Sequence, residues 1–589
     1  MLLIGGLLAL FLAAPAAAAP QVLMPGVTYE RAVQFTPHGP VSFHVVRGPR
    51  PTGLYALRPT LSNEAIQGLE RVTSMQKRLA PAATMVGVNG DFFTGSGRPS
   101  GVLMRDGVVE SPPYGDRSSI GATPEGALDV RRIEFFGTWR GLGQRRTLND
   151  MNQAPGPNGV SLYTPAYGPT TPRQAGVIEA VIQPLPPTTP NTDLSGPVVA
   201  VAGGGGSVIP PGGAVLAARG NAAQRLVEEA PPGSTLAFRI IFRPDWAGVT
   251  QAVGGGPVLV RDGGPVFRAQ EAFQSSQLAP RAPRTAVGQL RDGRLLLIVT
   301  DGRRPGYSVG MTNFELAQTL VRLGAVTGSA LDGGGSSTLA FDGSLLNRPS
   351  DRGGERPVSS ALQLAYYGVY APSPDPVISP NGDGVAESQR QLSYKVVRPS
   401  KVTATLFAPG GEPAFTETVD RAPGTYPVAF PPAPADPAAP PAPPAEGRWR
   451  LEVSATDDLG RPSRTTQEFS VNSTLGFVKL SRRTLVVRVR GTQSINAGVT
   501  LARPARVTAT VETASGVQVA TIAVRSLPAG RFAATWRGTT KGGKGLVYGG
   551  MYVVRFRALN ELGTVELASK PFRVIRAAPV KRKAPQPDG

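Results

Sequence analysis

The chain contains no cysteine, which removes thiolate nucleophiles, disulfide scaffolds, zinc fingers and iron–sulfur centres. It has two histidines, His38 and His44, so an HExxH zinc site is impossible and a Ser/His/Asp triad would have to use one of this N-terminal pair. After residue 19 no apolar run approaches the ~18 to 20 residues that a membrane helix needs. Zinc-finger spacing, an RNP signature and a basic region with heptads are missing, as is the lysine of a phosphate-binding P-loop. Most familiar hydrolase machinery is therefore excluded, no nucleic-acid partner is expected, and neither a metal nor a cofactor is required. Chemistry is left to Asp, Glu, Asn, Arg, Ser, Thr, Tyr and backbone amides.

What is present points to several domains rich in strands and turns. The 589 residues exceed what one core serves, and 72 Gly with 59 Pro favour turn-rich strands over long helices. The net charge of +20, carried mainly by scattered Arg, suits either solubility or anionic partners such as phosphorylated glycans and cell surfaces. Residues 2–13 form an apolar run followed by APAAAAP, which reads as a signal peptide cut near Ala16 to Ala19. The expected location is secreted, periplasmic or cell-surface, and export without disulfides points to a bacterium.

The expected organisation is a signal peptide (1–19), an enzyme domain (20–371), two β-sandwich modules (372–474 and 475–577) and a basic tail (578–589). A helix is expected over Asn313 to Leu323, with Thr312 and Glu315 forming a capping box, and a less clearly patterned one near Asn63 to Leu79. The module boundaries rest on an internal repeat: VTAT at Val402 recurs at Val507, GRWRLEVSATDDLG (from Gly447) matches GMYVVRFRALNELG (from Gly550), and Phe469/Val471 match Phe572/Val574. Alternation at Trp449, Leu451, Val453 and at Tyr552, Val554, Phe556 gives each copy one buried strand face. A proline-rich loop, 431–444, interrupts the first copy. With SPNGDGV (Ser379 to Val385) at its start, the pair resembles Ig-like repeats of the flagellar-hook-capping-protein type. Asn381 and Asp383 read either as an Asx/Gly turn or as calcium ligands, although an EF-hand would need Asp and Glu where Ser379 and Arg390 stand.

Four segments of the N-terminal region place polar groups among glycines at the ends of apolar runs. They are MVGVNGDFFTGSGRPSG (from Met85), GGGPVLV (from Gly254), PRTAVGQLRDGRLLLIVTDGR (from Pro283) and ALDGGGSSTLAFDG (from Ala330). Singly, Asn-Gly and Asp-Gly are turn dipeptides, and RDG at Arg105, Arg261 and Arg291 reads as hairpin chemistry. Together, in this order, the four resemble the phosphodiester glycosidase family, which includes an enzyme that removes a covering N-acetylglucosamine from mannose 6-phosphate. The resemblance implies an α+β phosphodiester glycosidase domain followed by two Ig-like β-sandwich modules. It also implies hydrolysis of a sugar-1-phosphodiester in an envelope or extracellular glycopolymer. Asp91 and Asp332 are then the leading catalytic carboxylates and Asp301 the third, because glycoside hydrolysis usually employs two. Arg284 and Arg303 would hold phosphate bidentately, the Gly333 and Gly334 amides would add donors, and Asn89, Thr285, Ser336 and Ser337 would position sugar or phosphate. A metal-assisted version using the same oxygens stays open, as does a non-catalytic glycan-binding or exopolysaccharide assembly role. The Ig-like modules are expected to act as spacers or as attachments to the cell envelope.

Overall fold

The computed structural model describes residues 20–374, 377–384, 391–433, 443–488, 493–514, 516–540 and 545–577. The expected leader, the basic tail, the middle of the proline-rich loop, and Val385 and Arg390 of the calcium reading lie outside them. The chain divides into two units, Met1–Gly368 and Val369–Gly589.

The expected α+β enzyme domain is overturned by the strand content, since strands occupy 52% of the chain and helices 8%. Sheets cover sheets here, so few helices are needed to bury the apolar faces. The Asn313–Arg322 helix forms as its capping box dictates: the Thr312 hydroxyl accepts from the Glu315 amide and the Glu315 side chain accepts from Thr312 N. The expected helix over 63–79 shrinks to Val72–Leu79, because Asn63 (φ 50°), Glu64 (φ 55°) and Gly68 (φ 128°) take left-handed backbone that no α-helix admits.

Two sheets of the first unit position the site. One runs, in spatial order, Gln21–Met24, Val27–Thr36, Gly39–Gly48, Leu295–Thr300, Arg284–Leu290, Ala325–Ala330, Val258–Arg261 and Gly264–Pro265. The other runs Ser344–Leu345, Leu339–Phe341, Thr84–Asn89, Ser360–Tyr366 and Tyr55–Leu61. They meet so closely that a Cβ on Gly48 would fall 2.3 Å from Leu364 Cδ2. Every residue of Thr84–Asn89, Leu295–Thr300 and Ser360–Tyr366 is buried, as strands covered on both faces must be. A further eight-stranded sheet and a five-stranded one enclose a core around Trp139, Phe238 and Phe242. The Asp-Gly turns at Asp106 and Asp262 carry positive φ at both residues and close two of the expected hairpins.

In the second unit the repeated segments occupy equivalent strands. Val377–Ile378, Pro462–Val471, Gly447–Asp457, Ser400–Phe407 and Pro413–Arg421 adjoin in that order, and Thr484–Val487, Phe572–Arg576, Gly550–Asn560, Ala505–Thr513 and Gln518–Leu527 adjoin likewise. Both series open with a parallel pair. The equivalence reaches single hydrogen bonds: Trp449 Nε1 donates to Ala445 O (2.8 Å) and Tyr552 Oη donates to Tyr548 O (2.9 Å), each four residues back.

Candidate active site

The Thr84–Asn89 and Ala325–Ala330 strands end side by side. Just beyond their ends, the Asp332 amide donates to Gly90 O (3.1 Å), which brings Asp91 and Asp332 together from positions far apart in sequence. Asn89, completely buried, pins the two sheets at this edge. Its Nδ2 donates to Asp332 O (2.7 Å), and its Oδ1 accepts from Thr285 Oγ1 (2.8 Å) and Thr338 N (3.1 Å). Asn89 and Thr285 are thus buried fasteners and not groups facing a ligand.

Asp91 is 2% exposed. Its Oδ1 accepts from Phe92 N (2.8 Å) and its Oδ2 from Gly101 N (2.5 Å), while Ser360 Oγ receives the Asp91 amide (3.2 Å). The GGG segment explains itself here: a Cβ on Gly254 would sit 2.4 Å from Asp91 Oδ2, so only glycine leaves room for the carboxylate. Burial pushes Asp91 up to about 7; the Gly101 and Phe92 amides and Arg117 pull it back, and the charge of Asp332 raises it. Burial likewise pushes Asp332 up to about 6 against the Ser336 hydroxyl, the Gly333 amide, Arg356 and Arg117. Both carboxyls are thus raised toward neutrality, chiefly by burial.

Asp332 lines a cavity of about 400 Å³ whose walls include Phe92, Phe273, Arg284, Arg303, Gly333 and Gly334. Arg284 is buried and spends its donors on backbone carbonyls: Nε on Met311 O (3.1 Å), Nη1 on Gln277 O (2.9 Å), and Nη2 on Leu278 O (3.3 Å) and Pro280 O (2.7 Å). Burial and the neighbouring Arg303 lower its pKa to about 10. Neither Arg284 nor Arg303 is ion-paired to a carboxylate among the described residues, although both share the cavity with Asp332. Arg303 is exposed and stands in left-handed backbone (φ 58°), a conformation uncommon for a non-glycine residue. A Cβ on Gly334 would lie 3.0 Å from Arg303 Nη2.

The remaining expected site residues have other tasks. The Gly334, Ser336 and Ser337 amides donate to Pro283 O, Gly333 O and Gly334 O, so the loop closes on itself. Ser336 is buried and holds Asp332, and Ser337 is buried with an unpartnered hydroxyl among the described residues. Asp301 is in a different setting: Oδ2 accepts from His44 Nε2 (2.9 Å) and Tyr307 Oη (2.8 Å), and Oδ1 from Asn347 Nδ2 (3.1 Å) and Arg348 N (2.9 Å). Burial would raise its pKa, but His44, the Arg348 amide and Tyr307 outweigh burial and hold it below the usual carboxylate value. His44 bonds on its other side to Tyr29 Oη (2.8 Å), so this Asp–His pair is flanked by a tyrosine.

Sequence reasoning missed Arg117 and Phe273. The Arg117 guanidinium stands 4.4 Å from the Phe273 ring centroid and 5.1 Å from that of Phe92, and its charge acts on both carboxylates. Both are loop residues in unremarkable sequence, and only the tertiary fold reveals them. Asn381 and Asp383 are engaged with backbone: Asn381 Nδ2 donates to Leu475 O (2.7 Å), and Asp383 Oδ2 accepts from Phe477 N (3.0 Å).

Residues 192–365 match the family model of phosphodiester glycosidases, and residues 484–561 match the FlgD Ig-like domain. The chain thus joins a phosphodiester glycosidase region to a FlgD-type Ig-like region. The first match contains Arg284, Thr285, Asp301, Arg303 and the Asp332–Ser337 loop, whereas Asn89 and Asp91 lie outside it. Over 108 residues the chain is 37% identical to the SPbeta prophage-derived uncharacterized protein YomE of Bacillus subtilis (strain 168), covering 18% of this chain and 16% of that protein. Over 68 residues it is 38% identical to human N-acetylglucosamine-1-phosphodiester alpha-N-acetylglucosaminidase, covering 12% of this chain and 13% of that enzyme. Among solved structures, a hypothetical protein from Synechocystis superposes with a TM-score of 0.50 at 27% identity, over 58% of this chain and 62% of that one. The chain therefore spans a small fraction of the sequence relatives it matches. No helix among the described residues is long and apolar enough to cross a membrane.

Proposed function

We propose that this protein is an exported hydrolase of sugar-1-phosphodiesters, acting on N-acetylglucosamine-1-phosphate-like linkages in an envelope or extracellular glycopolymer. The carrying observation is geometric: two carboxylates, Asp91 and Asp332, are brought to one place by the Asp332 N–Gly90 O bond, and Asp332 lines a cavity with Arg284 and Arg303. The kinship with phosphodiester glycosidases supports the same reading. Asp332 faces the cavity and carries the negative charge at neutral pH; it supports the anomeric carbon as the bond to phosphate breaks. Asp91 holds the proton behind it. The departing phosphomonoester is a weak base that needs little protonation, so catalysis leans on charge stabilisation by Arg303, with Arg284 adding positive potential. Water completes the sugar, and Asp91 with Asp332 accepts its proton.

The test is incubation of the purified chain with a panel of sugar-1-phosphodiesters, including a nucleotide sugar and teichoic-acid fragments, with free sugar followed by mass spectrometry. Release from at least one diester, lost in Asp332→Asn, supports the reading. No release from any of them, by a protein that melts cooperatively, removes it.

A further inference from the structure

A second cavity, of about 570 Å³, adjoins the first and shares Pro257, Leu278 and Asn313 with it. Its lining is of another kind: Val258, Leu259, Val266, Phe267 and Phe314 dominate. Phe267 is 70% exposed and meets Phe314 edge-on, with ring centroids 5.0 Å apart. A large aromatic ring held in solvent beside a polar reaction chamber calls for an occupant.

The walls are fixed, so the groove is built and not incidental. The 266–271 segment is fastened at both ends: Val266 N donates to Leu259 O (2.8 Å), and Glu271 accepts from Val258 N (2.7 Å), Ser118 N (2.8 Å) and Ser118 Oγ (2.8 Å). Those bonds occupy the Glu271 carboxylate, so it presents no free charge to the groove. Facing it, Leu278 belongs to the segment that Arg284 grips through the carbonyls of Gln277, Leu278 and Pro280. At the junction of the two chambers, Asn313 is 9% exposed and its Oδ1 has no hydrogen-bond partner among the described residues.

A phosphodiester has two ester arms, which must leave the phosphorus in different directions. If Arg303 and Asp332 receive the sugar phosphate, the second arm runs across Pro257 and Asn313 into the apolar groove. The groove also carries Arg268, Gln270, Ser275 and Thr312, but the hydroxyls of an oligosaccharide arm that lay against Val258, Leu259 and Val266 would face groups that cannot satisfy them. We propose that the groove binds a hydrocarbon aglycone, so that the preferred substrate is a sugar-1-phosphodiester whose other alcohol is a long alkyl or isoprenoid chain. This inference deepens the hydrolase reading and rests on it for the sugar arm, while the groove itself is testable by binding alone.

The experiment measures binding of octyl phosphate and of methyl phosphate to the full chain by calorimetry, in wild type and in Phe267→Ala. Because Phe267 is exposed, the variant keeps its fold, which a melting curve verifies. Each buried methylene is worth about fourfold in affinity, so wild type is expected to bind octyl phosphate at least about tenfold more tightly than methyl phosphate. Phe267→Ala is expected to cut that ratio by at least about threefold with methyl phosphate unaffected. Equal affinities for the two esters in wild type, or a ratio untouched by Phe267→Ala, overturn the proposal. So does a wild-type dimer that Phe267→Ala converts to monomer, because a second copy would then be the occupant. Phe267-dependent octyl phosphate binding in a protein that cleaves no sugar-1-phosphodiester would retire the hydrolase reading and leave the hydrocarbon site standing.

Discussion

Asp91 and Asp332 differ in what their oxygens already do, and the difference decides how each tolerates an amide. Asp332 is held by the Gly333 amide and the Ser336 hydroxyl, and a hydroxyl can turn to accept from an Asn side chain. Asp332→Asn should therefore keep its melting temperature while turnover falls at least about 100-fold, the lower end of what an acid–base group contributes. Asp91 accepts from two backbone N–H groups, one at each oxygen. Asn offers one acceptor, so Asp91→Asn sets an NH₂ against an N–H and should cost about 1–3 kcal/mol of stability besides activity. The proton adds a pH signature. Folded Asp91 titrates near 7 against an ordinary 3.8, so the folded state binds a proton that the unfolded state has released, and stability falls as pH rises from about 4 to about 7. Asp91→Asn lacks that slope, and the melting-temperature gap between it and wild type should narrow from pH 5 to pH 8. With Asp332 near 6, the singly protonated pair is most populated between about pH 6 and pH 7, where kcat/KM should peak.

Among the elements, the loop from 274 to 282 is gripped by Arg284, beside the Arg281–Glu315 pair and the Ala282–Met311 bridge. Arg284 donates to three of its carbonyls and to Met311 O, a fork that a lysine cannot reproduce. Arg284→Lys should lower the melting temperature and turnover together, whereas Arg303→Lys, at an exposed residue with no hydrogen-bond partner among the described residues, should lower turnover alone. Equal melting losses in the two variants would contradict this division. The same contrast shows what the sequence disclosed. Thr312 and Glu315 announced a helix start through a local rule, and it formed. The motifs NGD and LDGGGSS were read as polar groups at the ends of apolar runs, and each does follow a strand, with the Asp332 amide bonded to Gly90 O. Composition favoured strands over long helices, but the α+β reading of the first domain failed, because a well-capped helix in one place says nothing about whether helices or a second sheet cover the layers elsewhere. Nor was the division of labour within the motifs legible: Asn89, Thr285 and Ser336 look like ligand-binding residues as types, yet Asn89 and Thr285 bond groups brought in from distant segments and Ser336 bonds Asp332 of its own loop. Arg117 acts on the pair from a loop that carries no local signal.

At the scale of the whole molecule, the hydrophobic clusters separate cleanly. Those around Trp139 and around Leu316 lie before residue 369, and those around Trp449 and around Trp536 lie at or after it. Every residue proposed for the hydrolase site lies before 369 as well. A fragment of residues 20–368 retains Ser360–Tyr366, the central strand that pairs with Thr84–Asn89 on one side and Tyr55–Leu61 on the other, and with it the Ser360 groups that hold Gly90 and Asp91. It should fold cooperatively and release sugar at the rate of the full chain. Cutting a few residues earlier, at 355, removes that strand, leaves buried backbone on two neighbours unpaired, and should give an insoluble product. The activity of the 20–368 fragment separates two roles for the Ig-like unit. If the 20–368 fragment melts cooperatively and matches full-chain turnover, the second unit serves attachment or spacing. If it melts cooperatively but has lost the activity of the full chain, the second unit contributes to substrate capture, and the functional boundary at Gly368 is wrong even though the folding boundary is right.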